Sequence, residues 1–221
     1  LAPESVSTAD VTKLVEAGYV VSLGHTNAKA QDILPYVSAG ASMVTHLFNA
    51  MSQMENREPG LVGVALANGR LSCGLIADGF HVDPIVIQVA LAAKQGPGRI
   101  FLVTDAMSTI GTDQQGFLLN DREVFRRGGR LTLADGTLAG ADIDMLSCVR
   151  FAHEHIGLPL TEALNMASLY PAEAIGCATK GSLAAGMDAD LLVLKPDLSL
   201  MATFIAGACV FGEDFSRGAA A

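Results

Sequence analysis

Four apolar runs, each short enough for a β-strand, end at a side chain that can bind a cation or carry a proton. They are Val20-Val21-Ser22-Leu23 before Gly24-His25, Ser42-Met43-Val44-Thr45 before His46, Leu75-Ile76-Ala77 before Asp78-Gly79-Phe80-His81, and Phe101-Leu102-Val103-Thr104 before Asp105. Segments of helical periodicity separate them. Alternating strands and helices predict an α/β protein with a parallel sheet. In a parallel βα barrel every strand exit opens onto one rim, so residues far apart in sequence meet there. Four units are half of the eight a closed barrel needs, so the expected fold is a partial (β/α)8 barrel.

Local signals divide the chain further. Ser7-Thr8-Ala9-Asp10 can cap a helix that carries Val11, Leu14 and Val15 and stops at Gly18. Tyr19 to Leu23 reads as a buried strand. Asn27 reads as the N-cap of a helix bearing Ile33, Leu34 and Val37, with Pro35 inside it. Strands are expected at Ala41 to Thr45, Leu71 to Ala77 and Arg99 to Val103, and helices at Leu61 to Ala67 and from Pro84 to about Lys94. Residues 47–60 form a polar loop too long for mere connection, and long ordered loops at strand ends usually serve function. Alternating runs with Gly128-Gly129 and Asp135-Gly136 turns predict a β-hairpin inserted at about 116–138. Helices follow at 144–156, at 160–169 and after Pro171. The runs 190–194 and 203–211 read as strands of a small separate β layer, and only the Ala-rich tail at 219–221 is low in complexity.

Composition excludes whole classes of partner. Lys plus Arg total 14 against 23 acidic residues, a formal charge of -9, so neither nucleic acid nor an anionic membrane surface is an expected partner. Any bound anion must be held by a local arrangement. Cys73, Cys148, Cys177 and Cys209 are far apart and form no C-x-x-C pair, which predicts reduced, mostly buried thiols and a cytoplasmic setting. No apolar run is long enough to span a membrane. Leu1 opens the chain without Met, and Leu1-Ala2-Pro3-Glu4 reads as the exit of a strand whose body lies upstream, so a fragment is expected.

His25 and His46 occupy equivalent positions in consecutive units. A lone histidine at a strand end is more often capped or packed, but two in register favour a metal site, with a water completing the coordination. A third ligand is not identifiable from the residues. Asp105 fits a general acid/base next to an activated water, and equally fits a turn cap if taken alone. His81 could face substrate hydroxyls, or Asp78 could bracket a loop leading to a helix start at Asp83-Pro84. Asn49, Arg57 and the backbone near Ala50 could hold a phosphate by charge-assisted bonds, against the plainer view of a solvated arginine. His153 and His155 lie i, i+2 on a predicted helix, point about 200° apart and cannot chelate one ion.

Several stretches together carry a family resemblance. They are Gly24-His25-Thr26-Asn27-Ala28, Thr45-His46-Leu47-Phe48-Asn49-Ala50-Met51, Arg57-Glu58-Pro59-Gly60, Ala77-Asp78-Gly79-Phe80-His81-Val82-Asp83, Val103-Thr104-Asp105-Ala106, Gly136-Thr137-Leu138-Ala139-Gly140 and Gly181-Ser182-Leu183 through Asp190-Leu191. In this order they resemble the N-acetylglucosamine-6-phosphate deacetylases of the amidohydrolase superfamily. The resemblance implies the second half of the barrel over residues 1–180 and strands of a small β-sandwich over 181–221. It implies His25 and His46 as metal ligands, with zinc the first expectation and iron or another divalent ion the alternatives. It makes Asp105 the acid/base, and Asn49 with the Ala50 amide the phosphate holders. Arg57 would reach the substrate of a neighbouring subunit in a homodimer, His81 would contact the sugar, and the backbone around Leu138 would line its pocket. The implied reaction cleaves the acetamide of an amino-sugar phosphate. The family's glutamate ligand and first strands would precede Leu1, and Ala141 and Asp142 depart from its small polar residues. The competing readings are another amidohydrolase acting on a cyclic amide or dipeptide, and a non-catalytic sugar-phosphate-binding remnant.

Overall fold

Ser7 starts the first helix, its hydroxyl oxygen accepting the Asp10 amide at 3.2 Å, as the cap signal predicts. The computed structural model describes residues 1–212, so the Ala-rich tail lies outside the described residues. In chain order the first units are α1 (Thr8–Glu16), β1 (Ser22–Leu23), α2 (Ala30–Ser38), β2 (Met43–Val44), α3 (Gly60–Ala67), β3 (Ser72–Ile76), α4 (Pro84–Ala93) and β4 (Ile100–Val103). The four strands form one parallel sheet in the order β1-β2-β3-β4. Leu23 pairs with Val44, Val44 with Cys73, and Ile76 with Val103. The sheet is open, with no closed barrel among the described residues.

The apolar runs bury as their composition demands. Leu23, Val44, Cys73, Leu75 and Leu102 form the sheet's part of the core, against Ile33 of α2, Leu61 of α3 and Ile87 of α4. Strand β1 is shorter than expected: Tyr19 and Val20 are 64% and 44% exposed and lie outside it. It pairs with β2 over two residues, and on its other side Leu1 donates to the Ser22 carbonyl at 2.7 Å and accepts the Gly24 amide at 3.1 Å.

Asn27 does not cap α2. Its amide donates to Glu4 Oε1 at 2.9 Å, and the helix begins three residues later. Lys29 stands at the N-cap without a side-chain bond, and the Ala30 amide is taken instead by Glu58 Oε1 at 2.8 Å, from the long loop. A carboxylate from 28 residues away has replaced the local cap.

The insertion after β4 is larger than one hairpin. Strands β5 (Gly116–Leu119), β6 (Arg122–Arg127), β7 (Arg130–Thr132) and β8 (Leu138–Ala141) form an antiparallel sheet in that order. It has its own small core of Val124, Leu131 and Leu133. The Leu-Ala-Gly-Ala of β8 has weak strand propensity, which hides it from a reading by composition. Helices α5 (Met145–Glu154), α6 (Leu160–Ala167) and α7 (Leu169–Ala174) pack beside β4. Pro171 lies inside α7 rather than before it.

A three-stranded antiparallel sheet follows, with β9 (Leu191–Leu194), β10 (Leu200–Ile205) and β11 (Ala208–Gly212) in the order β11-β10-β9. The expected strand 203–211 is therefore two strands. Asp190 accepts the Ala206 amide at 2.8 Å and the Ala189 carbonyl accepts that of Gly207 at 2.9 Å, which pins a turn in the middle of the apolar run. Among the described residues no helix is long and apolar enough to cross a membrane.

Candidate active site

Because the strands are parallel and in register, the four loops that carry the singled-out residues leave from one edge of the sheet. His25 and His46 each stand two residues beyond the Leu23–Val44 pair, and their Nε2 atoms approach to 2.8 Å. Two ring nitrogens this close cannot both carry protons. One donates to the other, or two lone pairs converge on a shared cation. Imidazole nitrogens about 2.0–2.1 Å from a tetrahedral ion stand roughly 3.3 Å apart, so the pair needs only a small opening to chelate. The donor set fits a divalent ion of borderline softness. Among the described residues no group of three or more His, Cys, Asp and Glu side chains is gathered to hold a metal.

The close approach of β1 and β2 depends on Gly24. A Cβ there would run into the Thr45 hydroxyl and sit 3.2 Å from Thr45 Cβ. Four residues on these exits, His25, Phe48, Ala50 and Asp105, hold left-handed φ values of 50°, 76°, 48° and 51° without being glycine. Such conformations are uncommon and concentrate where side chains must be aimed.

Asp105 leaves β4 on this same edge, exposed, and its carboxylate bonds neither histidine. Its carbonyl accepts the Ala141 amide at 2.9 Å. Leu138, whose backbone was expected to line the pocket, opens β8 opposite Thr132.

After β3, Asp78 brackets its loop, as one reading held: Oδ1 accepts the Phe80 and His81 amides at 2.8 and 2.9 Å. Its Oδ2 meets His81 Nδ1 at 2.6 Å, both side chains nearly buried, so the imidazole keeps Nε2 for other partners. Burial pushes the Asp78 carboxyl up, yet the His81 ring and the two amides outweigh it and hold it below the ordinary carboxylate range. Asp83 caps α4 through the Ile85 amide, so the helix-start reading holds alongside. Arg130 of the inserted sheet lies 4.3 Å over the Phe80 ring and ties that sheet to this loop.

The loop 47–60 is built rather than floppy. Thr26 and Met51 form a parallel bridge, in which Thr26 donates to the Ala50 carbonyl at 3.2 Å and Ser52 to the Thr26 carbonyl at 2.9 Å. The Ser52 hydroxyl donates to the Ala28 carbonyl and accepts the Leu61 amide, each at 2.8 Å. The Ala50 amide finds no acceptor among the described residues. Asn49 turns its amide group back to the Leu47 carbonyl at 3.2 Å, and Arg57 is exposed.

Two glutamates were not singled out from the residues. Glu4 accepts the Thr26 hydroxyl at 2.7 Å together with the Asn27 amide, and Glu58 accepts the Ala30 and Gly60 amides. Both are held below the usual carboxylate range, Glu4 chiefly by Thr26 and Glu58 chiefly by the Ala30 amide. Glu4's partners lie 22 and 23 residues away and the Ala30 amide that Glu58 takes lies 28 away, so no local pattern betrays these contacts. His153, by contrast, bonds the Leu158 carbonyl at 2.7 Å, and His155 packs on Phe151, which rules out the H-x-H pair as a chelate.

A family model described as "Amidohydrolase family" matches residues 15–211. The chain is 43% identical over 98% of its length to the N-acetylgalactosamine-6-phosphate deacetylase of Shewanella sp. (strain ANA-3), covering 55% of that protein. It superposes with a TM-score of 0.89 and 36% identity on the N-acetylglucosamine-6-phosphate deacetylase of Pasteurella multocida, over 94% of this chain and 54% of that one. A mutant N-acetyl-D-glucosamine-6-phosphate deacetylase from Mycobacterium smegmatis, in complex with N-acetyl-D-glucosamine-6-phosphate, matches with TM-score 0.85 and 37% identity, over 95% and 56% of the respective chains. The chain thus spans little more than half the length of the relatives it matches. With a sequence model covering most of its length and strand exits bearing paired imidazoles, the chain belongs to the amidohydrolase family.

Proposed function

We propose that these residues are part of a metal-dependent enzyme that hydrolyses the acetamide of N-acetylglucosamine 6-phosphate to glucosamine 6-phosphate and acetate. The convergence of His25 and His46 Nε2 at 2.8 Å carries the reading. In it, residues 1–180 supply the second half of a (β/α)8 barrel and the strands after 181 join a small β-sandwich, consistent with the order of the parallel strands. His25 and His46 hold the ion, zinc in the first instance, with iron or another divalent ion as alternatives. When bound, a divalent cation supplies Lewis acidity toward water and the amide carbonyl. Asp105 takes a proton from water and delivers one to the amide nitrogen as the C–N bond breaks. The Asp78-fixed His81 presents Nε2 to sugar hydroxyls, and the backbone near Leu138 walls the pocket. Asn49 and the Ala50 amide hold the phosphate, with Arg57 reaching toward the substrate of a neighbouring copy in a homodimer. Cys73 and Cys148, buried as thiols in the core, fit a cytoplasmic enzyme of this kind.

The 43% identity to an N-acetylgalactosamine-6-phosphate deacetylase supports the 4-epimer as a second substrate reading. Acetate release from the two sugar phosphates, compared as kcat/KM, decides between them. The test of the site itself is metal content. His25→Ala or His46→Ala should cut bound divalent metal at least tenfold and abolish acetate release in the enzyme that contains this chain. Full metal occupancy in both variants would overturn the assignment.

A further inference from the structure

The carboxylate of Asp105 is exposed and has no hydrogen-bond partner among the described residues, so no side-chain contact holds it and its placement relies on the backbone that carries it, at φ 51°. That backbone is secured from the inserted sheet. The Ala141 amide donates to the Asp105 carbonyl at 2.9 Å, and Ala106 and Ala141 form a parallel bridge. β8 and the segment after β4 lie so close that a Cβ on Gly140, at φ 95°, would collide with Met107 and come within 3.2 Å of the Asp105 carbonyl. Directly after this contact comes Asp142, its side chain only 5% exposed.

One guanidinium fastens the arrangement. Arg126 of β6 donates from Nε to Asp142 Oδ2 at 2.7 Å, and from Nη1 to the carbonyls of Thr112 at 2.6 Å and Thr109 at 3.4 Å. It thereby joins the end of β8 to the far side of the loop that Asp105 opens. The planar fork of arginine suits this three-point grip. Asp142 Oδ1 and the Thr109 hydroxyl oxygen are buried without hydrogen-bond partners among the described residues, so this corner has no spare donors to replace the guanidinium. Without Arg126 the nearly buried Asp142 carboxylate would be left uncompensated.

We infer that Arg126, acting through Asp142 and the loop 105–112, is a positioning residue that fixes the aim of Asp105. The inference rests on the functional reading above, and it gives the inserted sheet a part in the reaction.

The experiment compares Arg126→Gln, Asp142→Asn and the double variant in the enzyme that contains this chain. Expected is a fall in kcat of tenfold or more with KM for the sugar phosphate within threefold and metal content unchanged. The double variant should be no worse than the poorer single one, since both remove the same grip. Arg126→Lys, which keeps the charge but loses the fork, should recover part of kcat. Hydrogen exchange at residues 104–112 and at Ala141 should speed up in Arg126→Gln. An unchanged kcat together with unchanged exchange overturns the inference, as does a rise in KM that accounts for the whole loss. Should Arg126→Gln fail to fold, the isosteric Asp142→Asn carries the same comparison. A wild-type enzyme without deacetylase activity would sink the functional reading alone, because exchange still reports whether Arg126 secures the loop.

Discussion

Gly24→Ala probes how tightly the two histidine-bearing exits are packed. The added Cβ would overlap the Thr45 hydroxyl and sit 3.2 and 3.3 Å from Thr45 Cβ and Cγ2. Carbon atoms in ordinary contact stand about 3.5–4.0 Å apart, so the whole Thr45 side chain must retreat. Turning its hydroxyl is not enough. Backbone conformation is not the obstacle, because Gly24 is outside the left-handed region. In open space the same change would stabilise by about 0.4–1 kcal/mol through the unfolded chain's entropy. Overpacking of this kind costs about 1–3 kcal/mol. Repulsion therefore wins, and a net loss of roughly 0.5–2 kcal/mol is expected. A Thr45→Ala background removes the hydroxyl and Cγ2 and leaves only the 3.2 Å approach to Cβ, so there most of the cost of Gly24→Ala should disappear. Urea denaturation of the four proteins in this cycle should give a coupling of about 1–3 kcal/mol, and the variant that keeps Thr45 should also bind metal more weakly. Additivity of the two changes within about 0.5 kcal/mol would refute the contact.

Asp78→Asn keeps an acceptor for the Phe80 and His81 amides but faces His81 Nδ1 with an amide, and should cost about 1–3 kcal/mol at pH 7. The folded carboxyl of Asp78 is held below its unfolded value, so its contribution is complete above the unfolded range near pH 4 and fades as pH falls further. Wild type and variant should accordingly converge in acid, and a gap that stays constant down to about pH 2 would contradict the pairing. Burial pushes the Cys73 and Cys148 thiols up to about 12, so a thiol reagent at pH 8 should leave both unmodified until the chain unfolds. Peptide mass spectrometry reads this directly, and early labelling at either site would count against the described core.

The parallel sheet was legible because buried parallel strands read as continuous apolar runs, and each run here stops at a polar exit. His25 and His46 could be paired in advance since equivalent exits of neighbouring strands face each other. What escaped depends on tertiary contacts. Asn27 looks like a cap, but Glu4 takes its amide and Glu58 caps α2 from across the molecule. The run 203–211 looks like one strand until Asp190 pins a turn at Ala206. Strand β8 is too small in its side chains to announce itself, although it secures the backbone of Asp105. Arg126 and Asp142, 16 residues apart, carry no local pattern that would join them.

The stitching of Thr26 to Ala50 and Ser52 bears on how such a loop can diversify. With Met51 and Ser52 bonded on one flank and Glu58 anchoring two helix starts on the other, length changes between 47 and 52 would tear out ladder bonds. Gln53 is tied back to the Phe48 and Met51 carbonyls, so the exposed span 54–57, crossed by the Glu55 to Glu58 backbone bond, is where a change of length disturbs least. Lineages that lengthen this stretch should therefore alter its tip while leaving the histidine spacing untouched.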